Sequence, residues 1–336
     1  MHIVITGGAG FIGHHAVWQA LERGWQVSVL DNFYTGKLER LLLPSGKIPA
    51  GLTVYECDVA AGPLPDIKNI DYVLHLAAPV SVQESIEDWE KYYRGIKIGS
   101  ERVFEWAKSR GCHSIVAAST AAVYGDNEEV PFDETTAPDP MSPYAEYKLE
   151  MESVLDEYHN STTQCAALRF FNVFGEGQPN DVGYVSAIPI FKKQFETYQP
   201  ITVTGDGLQT RDFVYVGDVV AACFTAITRP NGGFESMPIW NVASGEETKI
   251  DDTSEPINQK EIKNPLRKEI VKEEKINKKE KLVMTDVTIL ETNSSKTNLK
   301  ENTLIVKNNK EPHEVNEEEK FINSKVEEVV AQIKKS

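Results

Sequence analysis

The chain is sparing with cysteine, has no long apolar run and shows no excess of basic residues. Cys57, Cys112, Cys165 and Cys223 are its only cysteines, and none stands in a metal-ligand or redox-pair spacing. A disulfide scaffold is thereby excluded; the four read as reduced, mostly buried thiols of a cytoplasmic protein. No uninterrupted apolar stretch approaches the roughly 20 residues needed to span a bilayer, so no membrane insertion is expected. The first strand-like run starts at His2, which predicts no secretory signal ahead of it. With 35 Lys+Arg against 51 Asp+Glu the net charge is −16, and no basic stripe interleaved with aromatics occurs. No nucleic-acid partner and no metal are expected.

A second absence is regional. Residues 251–336 contain none of the chain's 22 Gly, and Phe321 is their only aromatic residue. They hold 17 Lys+Arg and 18 Asp+Glu, a net of −1, so the body carries about −15 of the total −16. Dense mixed charge with few aromatics predicts a divergent or disordered tail. Weak apolar periodicity over 324–333 fits a terminal amphipathic helix. The expected division is a body over 1–250 and this tail over 251–336.

The body carries the chemistry. Gly7, Gly10 and Gly13 stand between the apolar run His2–Ile5 and a helix-like run from Phe11 to Leu21. Strand, glycine loop and helix in that order form a dinucleotide cradle, in which a pyrophosphate approaches the helix N-terminus. An ordinary strand–helix turn is the plainer alternative. A second strand-like run, Trp25–Leu30, ends in Asp31. An acid there accepts ribose hydroxyls and repels a 2′-phosphate, favouring NAD over NADP, unless it is merely a solvated strand end. A third, Leu52–Glu56, leads into Cys57-Asp58-Val59, with Asp58 in reach of an adenine edge. A fourth, Tyr72–Ala78, closes in small residues, with His75 packed inside it. A fifth, Ile115–Ala118, delivers Ser119-Thr120 at its C-terminal end, where open parallel sheets bind ligands. Tyr144 and Lys148 lie one helical turn apart on one face. Near neutral pH a phenol with a pKa of about 10 is a poor base. A neighbouring ammonium and an oxidised nicotinamide ring would favour the phenolate, with Thr120 holding the substrate oxygen. The bland alternative is a surface Tyr and Lys on an amphipathic helix.

Taken together, these elements resemble the extended short-chain dehydrogenase/reductase family of nucleotide-sugar epimerases and dehydratases. The matching strings are Thr6–Gly13, Asp31-Asn32, Cys57-Asp58, His75–Ala78, Ser119–Gly125, Tyr144–Lys148, Leu168–Gly175 and Gly205–Phe213, spanning roughly residues 1–250. The resemblance implies an α/β fold: a doubly wound parallel sheet (Rossmann) with a small, incomplete C-terminal substrate lobe whose segments insert at about 173–205. It implies NAD held by Gly7, Gly10, Phe11, Ile12, Gly13, Asp31, Asn32, Asp58, Val59, Leu76, Ala77, Ala78, Tyr144, Lys148 and Phe171. Thr120, Tyr144 and Lys148 become the catalytic residues. Ser119, Thr120, Asn172, Tyr184 and Arg211 become contacts to a UDP-sugar. Without the resemblance, Arg211 beside Asp212 would read as a surface ion pair.

Dehydratases of this family place an Asp-Glu pair after the catalytic Thr, and decarboxylases a Glu; here Ala121 and Ala122 stand there. The stretch Phe171–Arg211 is most similar to the 4-epimerases of UDP-glucose and UDP-N-acetylglucosamine. The chemistry so implied is oxidation at C4, rotation of a transient 4-keto sugar, and return of the hydride to its other face. A nucleotide-4-ketosugar reductase is the second reading, and a dinucleotide-binding scaffold or sensor the third. Two departures from the family pattern stand out. Ile96 occupies the place of an Asn that buttresses the active-site backbone, and the resemblance stops near Ile250. The tail is then a divergent lobe, an unrelated appendage or the product of a disrupted reading frame. Apolar residues on more than one face of the expected helices 86–110 and 144–158 (Val103, Phe104, Trp106; Met151, Val154, Leu155), together with the resemblance, imply a homodimer.

Overall fold

The computed structural model describes residues 1–127, 130–179, 187–203, 207–229 and 236–250. Tyr184 and the charged tail, with every expectation attached to them, lie outside the described residues. In chain order the elements are β1 (His2–Thr6), α1 (Phe11–Glu22), β2 (Gln26–Asp31), β3 (Leu52–Glu56), β4 (Tyr72–His75), α2 (Val82–Glu87), α3 (Trp89–Tyr92) and α4 (Gly99–Ser109). There follow β5 (Ser114–Thr120), α5 (Pro143–Asp156), β6 (Gln164–Phe170), β7 (Asn172–Phe174), α6 (Ala187–Glu196), β8 (Thr210–Arg211), β9 (Phe213–Tyr215), α7 (Val216–Ile227), β10 (Ile239–Val242) and β11 (Thr248–Lys249).

Seven strands pair in parallel in the order β10-β6-β5-β4-β1-β2-β3. The order reverses between β1 and β4, and a crevice opens at the carboxyl ends there. Both faces are covered, which is why the strands read as nearly continuous apolar runs. Ile3 and Ile5 pack toward Val17 of α1 and Phe224 of α7. Val4 faces the opposite layer, with Phe104 of α4 and Met151 and Leu155 of α5. Each such side chain, buried between layers, contributes about 1.5–3 kcal/mol. The scaffold is therefore stiff, and the site sits on its loop ends.

The helix expected over 86–110 is divided. Asp88 closes α2, and its Oδ1 caps α3 by accepting the Lys91 N–H at 3.2 Å. The chain then winds through a π-helical stretch, Tyr93–Ile98, into α4. Ile96 lies fully buried in that stretch, so hydrocarbon packing fills the place of the family's Asn. The strand expected through Ala78 stops at His75: the Leu76 N–H still reaches the Thr6 carbonyl at 3.1 Å, but the Ala77 N–H turns to the Thr6 hydroxyl at 3.2 Å. Helix α5 begins where Ser142 Oγ accepts the Ala145 N–H at 3.3 Å and Pro143 opens the first turn.

Beyond the sheet, β7 pairs with β9 and β8 with β11, and Phe174, Phe191, Phe213 and Ile250 form a small separate core. Of the residues that suggested an intermolecular face, Val103, Phe104, Trp106, Met151 and Leu155 are buried inside the chain, and Val154 is half-buried. The reason is the covered sheet: α4 and α5 direct those residues inward, onto its strands.

Candidate active site

The crevice begins at the glycine loop. Gly7 has φ +69°, a conformation side chains rarely adopt, and a Cβ there would stand 2.8 Å from the Ala77 nitrogen. At Gly13 a Cβ would fall 2.1 Å from the Gly7 carbonyl oxygen, so backbone packs directly on backbone. Helix α1 starts at Phe11 with Gly10 as its cap residue, no side-chain cap and no acid in its first turn. The first-turn N–H groups, those of Phe11 and Ile12 among them, lack intrahelical partners and suit an anion. This cradle fits a dinucleotide pyrophosphate.

Around it stand the other expected cofactor residues. Asp31 is buried; its Oδ2 accepts the Ala9 N–H at 2.9 Å and its Oδ1 the Phe33 N–H at 2.8 Å. Desolvation raises its carboxyl, and those two hydrogen bonds oppose the rise. An ionised carboxylate has about four acceptor positions, which leaves room for ribose hydroxyls. Asn32 is exposed and caps the Tyr34 N–H at 3.1 Å. Asp58 is exposed, with Oδ1 on the Ala60 N–H at 2.9 Å, while Val59 is buried beneath it. Leu76, Ala77 and Ala78 lie half-buried past β4, and Phe171 half-buried past β6.

Strand β5 and helix α5 bring Thr120, Tyr144 and Lys148 together. Thr120 Oγ1 accepts the Ala122 N–H at 3.2 Å, and its hydroxyl stands near the Tyr144 phenol, where it favours the phenolate. Lys148 is 4% exposed, and its Nζ donates to the Ala118 carbonyl at 2.6 Å. Burial pushes the Lys148 ammonium down to about 8, against the attraction of Glu152. Burial also raises the Tyr144 phenol, and the neighbouring Thr120 hydroxyl only partly offsets this. Desolvation is the larger effect, and Lys148 is directed to a backbone carbonyl.

Ser119 departs from its expected substrate contact. It is buried, and its hydroxyl donates to Glu152. Asn172 Nδ2 donates to the Asp212 carbonyl at 3.0 Å. Arg211 is exposed and donates from Nη1 to the Thr210 carbonyl at 2.6 Å. The neighbouring Asp212 carboxylate is taken by Ser244 (N 2.8 Å, Oγ 2.9 Å) and the Gly245 N–H (2.8 Å).

Two residues absent from the sequence reading complete the strip. Arg169 of β6 grips Glu152 of α5 with two bonds, Nε to Oε1 at 3.0 Å and an Nη to Oε2 at 2.7 Å. Glu152 extends the Tyr144–Lys148 face by one more turn, and Arg169 is the lone charge of its strand; both were signals. His75 of β4 bridges Thr6 (2.7 Å) and Ser100 (2.9 Å), and burial with the charge of Lys148 lowers it to about 3. Among the described residues no group of three or more His, Cys, Asp or Glu side chains is placed to hold a metal ion, and no helix is long and apolar enough to cross a membrane.

Residues 3–243 match the model of the NAD-dependent epimerase/dehydratase family. The chain is 34% identical over 254 residues to a putative UDP-glucose 4-epimerase of Methanocaldococcus jannaschii, covering 74% of this chain and 79% of that protein. It is 31% identical to the UDP-glucose 4-epimerase of Bacillus subtilis over 248 residues, 68% of this chain and 73% of the relative. Among solved structures, the UDP-N-acetylglucosamine 4-epimerase of Methanobrevibacter ruminantium in complex with UDP-N-acetylmuramic acid superposes with a TM-score of 0.69. Identity to it is 33%, over 76% of this chain and 80% of that one. The Thermus thermophilus UDP-glucose 4-epimerase complex with NAD gives a TM-score of 0.64 at 32% identity, over 75% and 80% of the two chains.

Proposed function

The chain belongs to the NAD-dependent epimerase/dehydratase family, and from that membership we propose that it is an NAD-dependent 4-epimerase of a UDP-hexose. One observation carries the choice of chemistry. The turn Ala121–Tyr124 that follows Thr120 offers two alanines where elimination or decarboxylation would call for a carboxylate. Tyr144, beside Thr120, then serves proton transfer at a hydroxyl and nothing further.

In this reading Thr120 holds the C4 oxygen and Tyr144 takes its proton, returning it at the end of the cycle. Lys148 steadies the phenolate by its charge. NAD, when bound, supplies an acceptor and then a donor for the C4 hydride. The glycine loop, Asp31, Asn32 and Asp58 hold the dinucleotide. Asn172, Tyr184 and Arg211 anchor the UDP group while the sugar turns, Arg211 by a guanidinium fork that matches phosphate geometry. The segments about 173–205 form the sugar-facing lobe. UDP-sugar and NAD complexes of similar chains support the choice of ligands. A homodimer through α4 and α5 belongs to the same proposal and rests on the resemblance. A cytoplasmic setting accords with four unpaired thiols.

The test is incubation with UDP-glucose, UDP-galactose and their N-acetyl forms without added reductant. Formation of the C4 epimer is the expected result. Turnover confined to a 4-keto sugar with reduced cofactor would mean a reductase, and NAD binding without UDP-sugar binding a scaffold. A dimeric mass by light scattering is expected, and a monomeric mass would remove that part.

A further inference from the structure

Four charged or ionisable side chains run in one stripe behind the catalytic threonine. Tyr144, Lys148 and Glu152 follow at successive turns of α5, and Arg169 meets Glu152 from β6. Lys148, Glu152 and Arg169 are 4%, 2% and 3% exposed, so these three are dry, while Tyr144 is half-buried. A buried ion pair is by itself a weak source of stability, since desolving two charges offsets most of their attraction. The arrangement asks for another explanation.

Charge balance supplies it. Glu152 has both oxygens engaged, by Arg169 and by the Ser119 hydroxyl. The guanidinium also lies 4.9 Å from the centre of the Tyr124 ring, whose hydroxyl is fixed on Asn241 Oδ1 at 2.7 Å. One anion against two cations leaves a single surplus positive charge, and the Tyr144 phenolate is the group that would neutralise it. Without Glu152 the same pocket would hold two uncompensated cations.

We propose that Glu152 and Arg169 are positioning residues for Lys148, the locked carboxylate keeping the Lys148 amine protonated beside Tyr144 over the working pH range. The inference rests on the epimerase reading for its catalytic meaning and not for its electrostatics. Around Lys148 stand Glu152 on α5, the Ala118 carbonyl on β5 and His75 on β4, and Tyr144 lies one turn before it on the same face of α5. Arg169 lies behind Glu152, and Tyr92 of α3 packs edge-on against Tyr144 at 6.2 Å between ring centres. His75 is neutral above about 3, so it adds no competing charge near neutrality. Burial already brings Lys148 down to about 8, and Glu152 is the charge that resists a further fall.

The test is the titration of Lys148 itself, followed in the full chain with 13C-labelled lysine by NMR and assigned by the signal lost in Lys148→Met. Glu152→Gln lowers the midpoint by at least about one pH unit, the low end of the effect of a close opposite charge. The double variant Glu152→Gln with Arg169→Met, which removes both charges of the ion pair, falls between Glu152→Gln and the parent. Should the single variant fail to fold, the double variant still lies below the parent. Glu152→Asp keeps the charge and restores most of the shift. In epimerisation assays the alkaline limb of the pH profile moves with the Lys148 midpoint, whereas a purely structural role would lower the rate equally at all pH. A Lys148 midpoint unmoved in the folded variants overturns the proposal, whatever the substrate proves to be. Absent turnover with a shifted midpoint counts against the epimerase reading alone.

Discussion

Around the glycine loop, the fit depends on side chains that are not there; around Tyr144, it depends on charges that are. Backbone lies against backbone at Gly7 and Gly13, and an uncapped helix end leaves N–H groups free for an anion. Across the crevice, α5, β5 and β6 bury an ammonium, a guanidinium and a carboxylate among apolar neighbours. The first region is specified by excluded volume and tolerates no atom added. The second is specified by electrostatics, and volume-conserving changes that alter charge disturb it most.

The largest effect separating the two is expected at Lys148. Lys148→Met keeps the length and removes the ammonium, and slows C4 inversion by about 10²–10⁴-fold, the usual worth of a group assisting proton transfer. Cofactor binding, measured by calorimetry, persists in the variant. A loss below tenfold would place the electrostatics elsewhere.

Next comes Gly13→Ala, which adds one methyl against a carbonyl. Overpacking of that kind costs about 1–3 kcal/mol, read by chemical denaturation, and weakens cofactor affinity with it. Gly24→Ala is the control: Gly24 has φ +73° but nothing within 4 Å of a Cβ. Its cost is backbone strain of about 1–2 kcal/mol with cofactor affinity unchanged. Equal loss of affinity in both variants would contradict a steric account of the loop.

The smallest effect is a pH dependence of stability from the wall between the two regions. His75 falls from 6.5 to about 3 on folding, by burial and the Lys148 charge. Between those values the unfolded chain binds a proton that the folded chain refuses, so stability drops as pH falls below about 6.5. One such group gives a slope of about 1.4 kcal/mol per pH unit. His75→Gln should remove that slope from unfolding curves taken between pH 7 and pH 4.5, and an unchanged slope would locate the acid sensitivity in other groups.

The contrast between the regions also governs what could be read from the chain. The glycine spacing, Asp31, and the Tyr144–Lys148 interval are local constraints, and each strand ahead of them announces itself by an apolar run. Thr120 was legible because it ends such a run. Glu152 and Arg169 were not singled out, since their partnership spans 17 positions and joins a helix to a strand. Ser119 was misplaced for the same reason: adjacency to Thr120 suggested the substrate side, while strand alternation turns it toward Glu152. The break at Asp88 was hidden by apolar residues on both of its sides, although Asp three residues before a helical N–H is a capping signal.

The central claim is that Tyr144 moves the C4 proton of a UDP-hexose. Its most direct test is Tyr144→Phe, folded and loaded with NAD, assayed for interconversion of UDP-glucose and UDP-galactose. A fall of at least about 100-fold is the predicted result; interconversion at the parent rate would contradict the account.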